Sequence, residues 1–333
     1  MFNYKKSFVG SRVAAAIIGG YLALAAQHAV GQEFPSKIIT IKVGYPAGGS
    51  ADTAIRPLQT ALQTALGQTV IIENLPGVAG SLAAQAALRA PADGHTLLVM
   101  VGSDLIINPL VLSSARYKST DFRLIHPLIF SDMVLVTGHD SSPSDFDAFV
   151  EQSRAAKKEF SFGNWGTGSM AHLAAGDLAS QTGIKVIDVP YKGTAPMIGD
   201  LIGKQIDFTF LPLAGPAQKM IDSGKLKPIG VASKTRASNL PNVKASTESK
   251  YLKNFEYTAW IGVFVPEGTP AHIATKLNTV FAKLVNEQKY QQWSRETGNR
   301  PMVEMGLEQA NTVLNTERDR STSLVRAMKI TPQ

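Results

Sequence analysis

The chain has 333 residues, 44% hydrophobic, with 33 Lys and Arg against 26 Asp and Glu and no cysteine. This is globular composition at a length suited to two ordinary domains. The missing cysteine excludes disulfides, thiolate zinc sites and a cysteine nucleophile together, and a net charge of +7 spread along the chain lacks the clustered basic face that a nucleic-acid partner requires.

Residues 1–31 read as an export signal. Lys5, Lys6 and Arg12 form a positive start, 13–26 is an apolar run of small residues, and Ala29 and Gly31 offer the small side chains that a signal peptidase reads. A retained membrane anchor would need about 20 apolar residues, and this run is shorter. Cleavage near Gly31 removes three cations and no acid, leaving +4. That balance suits small anionic ligands.

From residue 32 the predicted elements alternate. Residues 38–43 are a short Ile- and Val-rich run bounded by turn residues, hence a buried strand. Ile55, Leu58, Leu62 and Leu66 have helical spacing, which predicts a helix over 53–66 with Pro57 in its first turn, where proline is tolerated. Strand 70–72, helix 81–89 and strand 95–101 follow. A second block repeats the order: strand 133–137, helix 145–157, strand 159–163, helix 170–182, strand 185–189, helix 195–202, and strands 205–210 and 227–232. Strand 258–266 and helices 272–284, 288–296 and 307–326 complete the chain. The β-α-β alternation predicts parallel sheets covered by helices. The blocks predict two lobes, 32–133 with 259–333 and 134–258, with hinge crossings near 132–137 and 255–263.

Three loops carry the candidate chemistry. In "YPAGGSAD", Tyr45 to Asp52, small residues precede a helix whose first N–H groups have no intrahelical partner and carry partial positive charge. Ala47, Gly48, Gly49 and Ser50 thus form an anion cradle. The phosphate-loop lysine is absent. Asp52 either caps its own loop or contacts the ligand. The second loop, "NWGTGS", has the same logic. Asn164, Thr167, Gly168 and Ser169 lead into a helix, while Trp165 either packs on its own lobe or walls a cleft. His172 follows one turn later. No two histidines have metal-ligand spacing, and no G-x-S-x-G elbow supports a Ser169–His172 hydrolase. The third loop contributes Tyr191 and Lys192.

The ordered set "YPAGGSADTAIRPL", "ENLPGVAGSLAA", "PADGHTLLV", "INP", "FGNWGTGSMAHLAAG", "VPYKGTAPMIGDLIGKQIDFTF" and "GVFVPEGTPAHIATKLN" resembles the Bug-type (TctC-like) extracytoplasmic solute receptors of the tripartite tricarboxylate transporter class. The resemblance implies an α/β, two-lobed periplasmic binding protein type 2 fold, each lobe a mixed sheet flanked by helices with a ligand cleft between. It implies a periplasmic, monomeric, non-enzymatic receptor that needs no cofactor, metal or nucleic acid and delivers a small carboxylate to membrane permease subunits. By its motifs, loop 46–52 holds one ligand carboxylate, loop 163–172 the other end, and Pro190 to Gly193 and Ser103 lie beside the cleft. There are departures. Leu211 and Pro212 stand where many relatives have Asp-Asn, which weighs against an amino-acid ligand. Trp165 stands where the residue is usually small. These point to an acid with an apolar or aromatic middle, such as terephthalate. An exported serine hydrolase using Ser169 and His172, and a receptor serving a sensor kinase, are the competing readings.

Overall fold

Buried Ile39, Ile41 and Val43 alternate with half-buried neighbours and make Ile39–Val43 strand β1. The computed structural model describes residues 33–156 and 158–327, and the chain from Lys37 onward forms one compact unit. The expected export signal lies outside the described residues.

After β1 the chain does not form one helix over 53–66. Helix α1 starts earlier, at Ser50–Ile55, a 3₁₀ turn spans Arg56–Leu58, and α2 is Gln59–Leu66. Pro57 lies inside the 3₁₀ turn, because its ring fixes φ and removes a donor. Gly67 ends α2 in the left-handed region. Strand β2 (Val70–Asn74), helix α3 (Ser81–Arg89) and strand β3 (Thr96–Val101) follow. Helix α4 (Gly102–Val111) was not among the sequence expectations. Its glycine start and internal Pro109 hide the helical pattern.

The strand expected at 133–137 is the end of a far longer one. Strand β4 runs Phe122–Gly138, 17 residues against a usual five or six. His126, Pro127, Ser131 and Asp132 interrupt its apolar text, and register shifts fall at Leu124/His126, Pro127/Ile129 and Leu135/Val136. Bulges of this kind are where a strand tolerates proline and bends. Next come α5 (Phe146–Ala155), β5 (Phe160–Asn164), α6 (Met170–Thr182), β6 (Val186–Pro190), α7 (Thr194–Ile202) and β7 (Phe208–Pro212). Strand β7 falls later than the expected 205–210. Helix α8 (Pro216–Asp222), unexpected from sequence, precedes β8 (Leu226–Val231), β9 (Thr258–Pro266), α9 (Ala271–Asn286), α10 (Gln288–Glu296), β10 (Arg300–Pro301) and α11 (Leu307–Ala327).

The strand order is β2-β1-β3-β9-β4-β7-β5-β6, with β8 and β10 also paired to β4. Pairs β1/β2, β1/β3, β5/β6 and β5/β7 are parallel, while β9 runs antiparallel to β3 and β4. Strand β4 pairs with β9 up to Asp132, then with β7 and β8 from Met133 or Val134. The protein is thus two-lobed, with one strand shared between the sheets.

Trp260 on β9 is 1% exposed and stacks on Phe130 with centroids 5.9 Å apart. A Cβ on Gly102 would fall within its indole. Gly102→Ala is expected to cost about 1–3 kcal/mol by overpacking, read by urea denaturation. Gly199→Ala, where a Cβ meets nothing within 4 Å, is expected to stabilise α7 by up to about 1 kcal/mol. Equal effects would contradict the packing argument.

Candidate functional site

Strands β1 and β3 are neighbours and parallel, so their carboxyl ends emerge side by side, and Gly44 N–H reaches Val99 C=O at 3.1 Å. Ligands in open α/β sheets bind beyond such ends. The loop after β1 leads to α1 at Ser50, and β3 runs directly into α4, placing Ser103 in its first turn. Ser50 and Ser103 are buried, and among the described residues neither hydroxyl meets a hydrogen-bond partner.

Asp52 gives the first loop its shape. Its Oδ2 accepts from Gly48 N–H at 2.9 Å and Arg56 Nε at 2.8 Å, and Oδ1 accepts from Arg56 Nη2 at 2.6 Å and Asn74 Nδ2 at 3.0 Å. Asn74 also donates to Tyr45 C=O at 2.9 Å. Burial alone would raise the Asp52 pKa, but the Arg56, Gly48 and Asn74 donors outweigh it and lower it. Of the expected cradle, Gly48 N–H goes to Asp52 and Gly49 N–H to Pro46 C=O. Ala47 and Gly48 are exposed at the loop tip, while Gly49 and Ser50 are buried. The cradle therefore narrows to the first-turn N–H groups of α1, which lack helical acceptors.

The second loop leaves the carboxyl end of β5. Asn164, fully buried, accepts from Gly166 N–H at 2.7 Å, its amide donates to Asp188 on β6, and its C=O accepts from Tyr191 N–H at 2.7 Å. Asn164 thus ties the second loop to β6 through its side chain and to the third loop through its backbone C=O. Ser169 is the N-cap of α6 and accepts from His172 N–H at 3.4 Å. The His172 ring lies elsewhere: Nδ1 accepts from Gly168 N–H at 3.3 Å and Nε2 is 4.0 Å from Asp188. Burial lowers its pKa, opposed by Asp188. Ser169 and His172 are therefore a cap and a loop brace, and their geometry is not that of a nucleophile and base.

The carboxyl ends of the two parallel sheets face each other. A Cβ on Gly193 would come within 2.6 Å of Pro46 Cδ, and one on Gly166 within 3.1 Å of Ala79 N. A Cβ on Gly168 would overlap Val111. Gly166 and Gly168 also have φ of 123° and 82°, which side chains rarely adopt. Trp165 is 3% exposed, and its indole Nε1 donates to Asp104 Oδ2 at 2.6 Å. The Tyr45 hydroxyl donates to the same oxygen at 2.7 Å. The Trp165 indole N–H thus bonds to the lobe opposite its own. Tyr191 donates to Asp200 at 2.7 Å on its own side, and Lys192 is exposed. The third loop reaches the first through Gly193, not through these two side chains. Thr167 is half-buried between the glycines.

Sequence reasoning missed Asp104, Asn108 and the strained loop. Gly77, Val78, Ala79 and Gly80 all have positive φ, two of them non-glycine. Buried Asn108 restrains this loop by donating to Ala79 C=O at 2.8 Å and Ser81 Oγ at 3.0 Å. A charged residue inside "GSDLIINPL" was the available signal, since an acid in apolar text is buried only with partners.

A family model described as tripartite tricarboxylate transporter family receptor matches residues 54–330. BugT of Bordetella pertussis is 31% identical over 273 residues, 79% of this chain and 81% of that one. The solved periplasmic binding protein BugD superposes with a TM-score of 0.84 at 27% identity, covering 90% of this chain and all of that one. An R. palustris protein solved with adipate gives 0.84 at 26% identity with the same coverage.

Asp52→Asn is expected to lower stability by about 1–3 kcal/mol near neutral pH, because charge-assisted bonds are lost. A lowered carboxyl pKa contributes stability above its unfolded value of about 4, and that contribution is lost as pH falls through the folded value. The difference between the native chain and the variant should shrink on acidification below about pH 4, read by denaturation at several pH values. A constant difference would contradict the ion-pair account.

Proposed function

The chain belongs to the tripartite tricarboxylate transporter receptor family, and on that premise we propose that it captures a small dicarboxylate between its lobes and hands it to permease subunits in the membrane. Receptors of this family bind solute and are not enzymes. The proposed setting is the periplasm, reached by export with removal of 1–31, with the chain acting as a monomer. The proposed lobes are 32–133 with 259–333, and 134–258, closing by hinge motion. Among the described residues no helix is long and apolar enough to cross a membrane.

The observation that carries this reading is the pair of buried hydroxyls. Ser50 opens α1 beyond the loop after β1, Ser103 lies in the first turn of α4 directly after β3, and among the described residues neither hydroxyl has a partner. Native proteins satisfy buried polar groups, so two such donors beside the open N–H groups of α1 support an acceptor held there. The second carboxylate falls to the opposite jaw, to the Ser169 hydroxyl as a donor and the start of α6, because the Gly168, Ser169 and His172 N–H groups are taken within that loop. Trp165 fills space between the jaws with a flat apolar ring, which supports an apolar or aromatic middle such as that of terephthalate. The adipate in the R. palustris relative supports a diacid of similar span.

Calorimetry of the purified protein with adipate, terephthalate, benzoate, glutamate and citrate tests this. An apolar diacid is expected to bind most tightly. Ser50→Ala and Ser103→Ala should each weaken it about tenfold, the worth of one hydrogen bond to a charged group. Tighter binding of glutamate or citrate would reject the apolar-diacid reading. No binding by any member would damage the carboxylate reading itself.

A further inference from the structure

The receptor reading uses loop N–H groups and hydroxyls and gives Asp104 no part. Asp104 is fully buried, yet its Oδ2 accepts from Tyr45 on its own lobe and from Trp165 on the other. Its Oδ1 meets no hydrogen-bond partner. Separation of the lobes parts Asp104 from Trp165 and returns the carboxylate to water. Closure must bury that charge or neutralise it first. A carboxylate with only neutral donors is costly to bury. The groups acting on Asp104 are the hydrogen-bonded Tyr45 and Trp165 and the nearby Met170 N–H, which makes no hydrogen bond of ordinary geometry to it; no cation is among them.

The titratable neighbours do not supply the missing charge. Burial, with the Asp104 charge adding to it, holds the Tyr45 hydroxyl well above its usual range, and burial pushes Tyr117 up to about 12. Both remain neutral. On α6 the nearest titratable group along the chain from Met170 is His172, whose ring is turned to Gly168 and Asp188.

We propose that the lobes close on Asp104 in its protonated form, so that ligand capture takes up one proton from solvent, with Asp104 as the positioning residue for Trp165 and its loop. The inference rests on the two-lobed receptor reading above. The proton comes from water or buffer and resides on Oδ1, leaving Oδ2 to accept both donors; reopening releases it. Burial pushes the Asp104 carboxyl up to about 7, with the Tyr45, Trp165 and Met170 donors opposing, against about 4 in water. A raised carboxyl favours the closed form fully below about pH 4, and that preference is lost as pH rises through about 7.

The protein contains three tryptophans, so the Trp165 indole N–H resonance can be identified in ¹⁵N-labelled protein by its loss in Trp165→Phe. With adipate or terephthalate bound it is expected to titrate with a midpoint near pH 7 in the native chain and to stay flat in Asp104→Asn. Adipate or terephthalate should bind about tenfold more tightly at pH 6 than at pH 8. Proton uptake should appear as a dependence of the heat on the buffer's ionisation enthalpy, absent in Asp104→Asn. A resonance unmoved between pH 5 and 9, or native binding equally tight at pH 6 and 8, overturns the proposal. If neither acid binds, the choice of ligand falls, and the same titration with whichever other acid of the panel binds decides the role of Asp104.

Discussion

Across the closure the two lobes approach until a single added carbon would hold them apart. Gly193 lies against Pro46, Gly166 against Ala79 and Gly168 against Val111. Glycine costs backbone entropy wherever it is fixed, and here that cost permits contact between loops from different sheets. The remaining features follow from the approach. It brings the Trp165 indole within hydrogen-bond reach of Asp104.

Each jaw is kept in shape from within. Asp52 gathers Gly48, Arg56 and Asn74, and Asn164 gathers Gly166, Asp188 and Tyr191. The two side chains differ in charge but do the same work, holding a glycine-containing loop in one conformation at the end of a parallel strand. Loops so held keep one conformation without help from any other molecule, which is the physical content of preorganisation. The strained Gly77 to Gly80 turn, restrained by Asn108, is a third support on the same side. Strand β4 links the jaws. It changes partners near Asp132, which accepts from Thr258 at 3.4 Å and pairs with Arg300 at 3.2 Å.

Much of the fold was legible because burial and periodicity coincide in it. Ile39 to Val43, Met170 to Thr182 and Thr258 to Pro266 carry patterns that only one element type satisfies. Legibility failed where a residue served two demands. Pro57 reads as an ordinary first-turn proline but makes a 3₁₀ joint. Pro127 and Asp132 read as breaks in a strand that in fact bulges and continues. Gly102 reads as a loop glycine, whereas it starts α4 with its Cα against Trp260.

The loops separate the two sources of information most clearly. Sequence alone determined that a loop of small residues precedes a helix in both blocks, because that depends only on neighbours along the chain, though it placed the first helix start at 53 and not at Ser50. It also carried the order of motifs that marks the family. Which donors remain open, and which are consumed, was decided by tertiary structure. Gly48 N–H goes to Asp52, the Tyr191 hydroxyl to Asp200 and the His172 ring to its own loop. Asp104 is the sharpest case. It precedes an apolar run, and its partners stand 59 and 61 residues away on opposite lobes. A hydrogen bond needs a few ångströms in space and is indifferent to separation along the chain, so local pattern could expose the acid but not its partners.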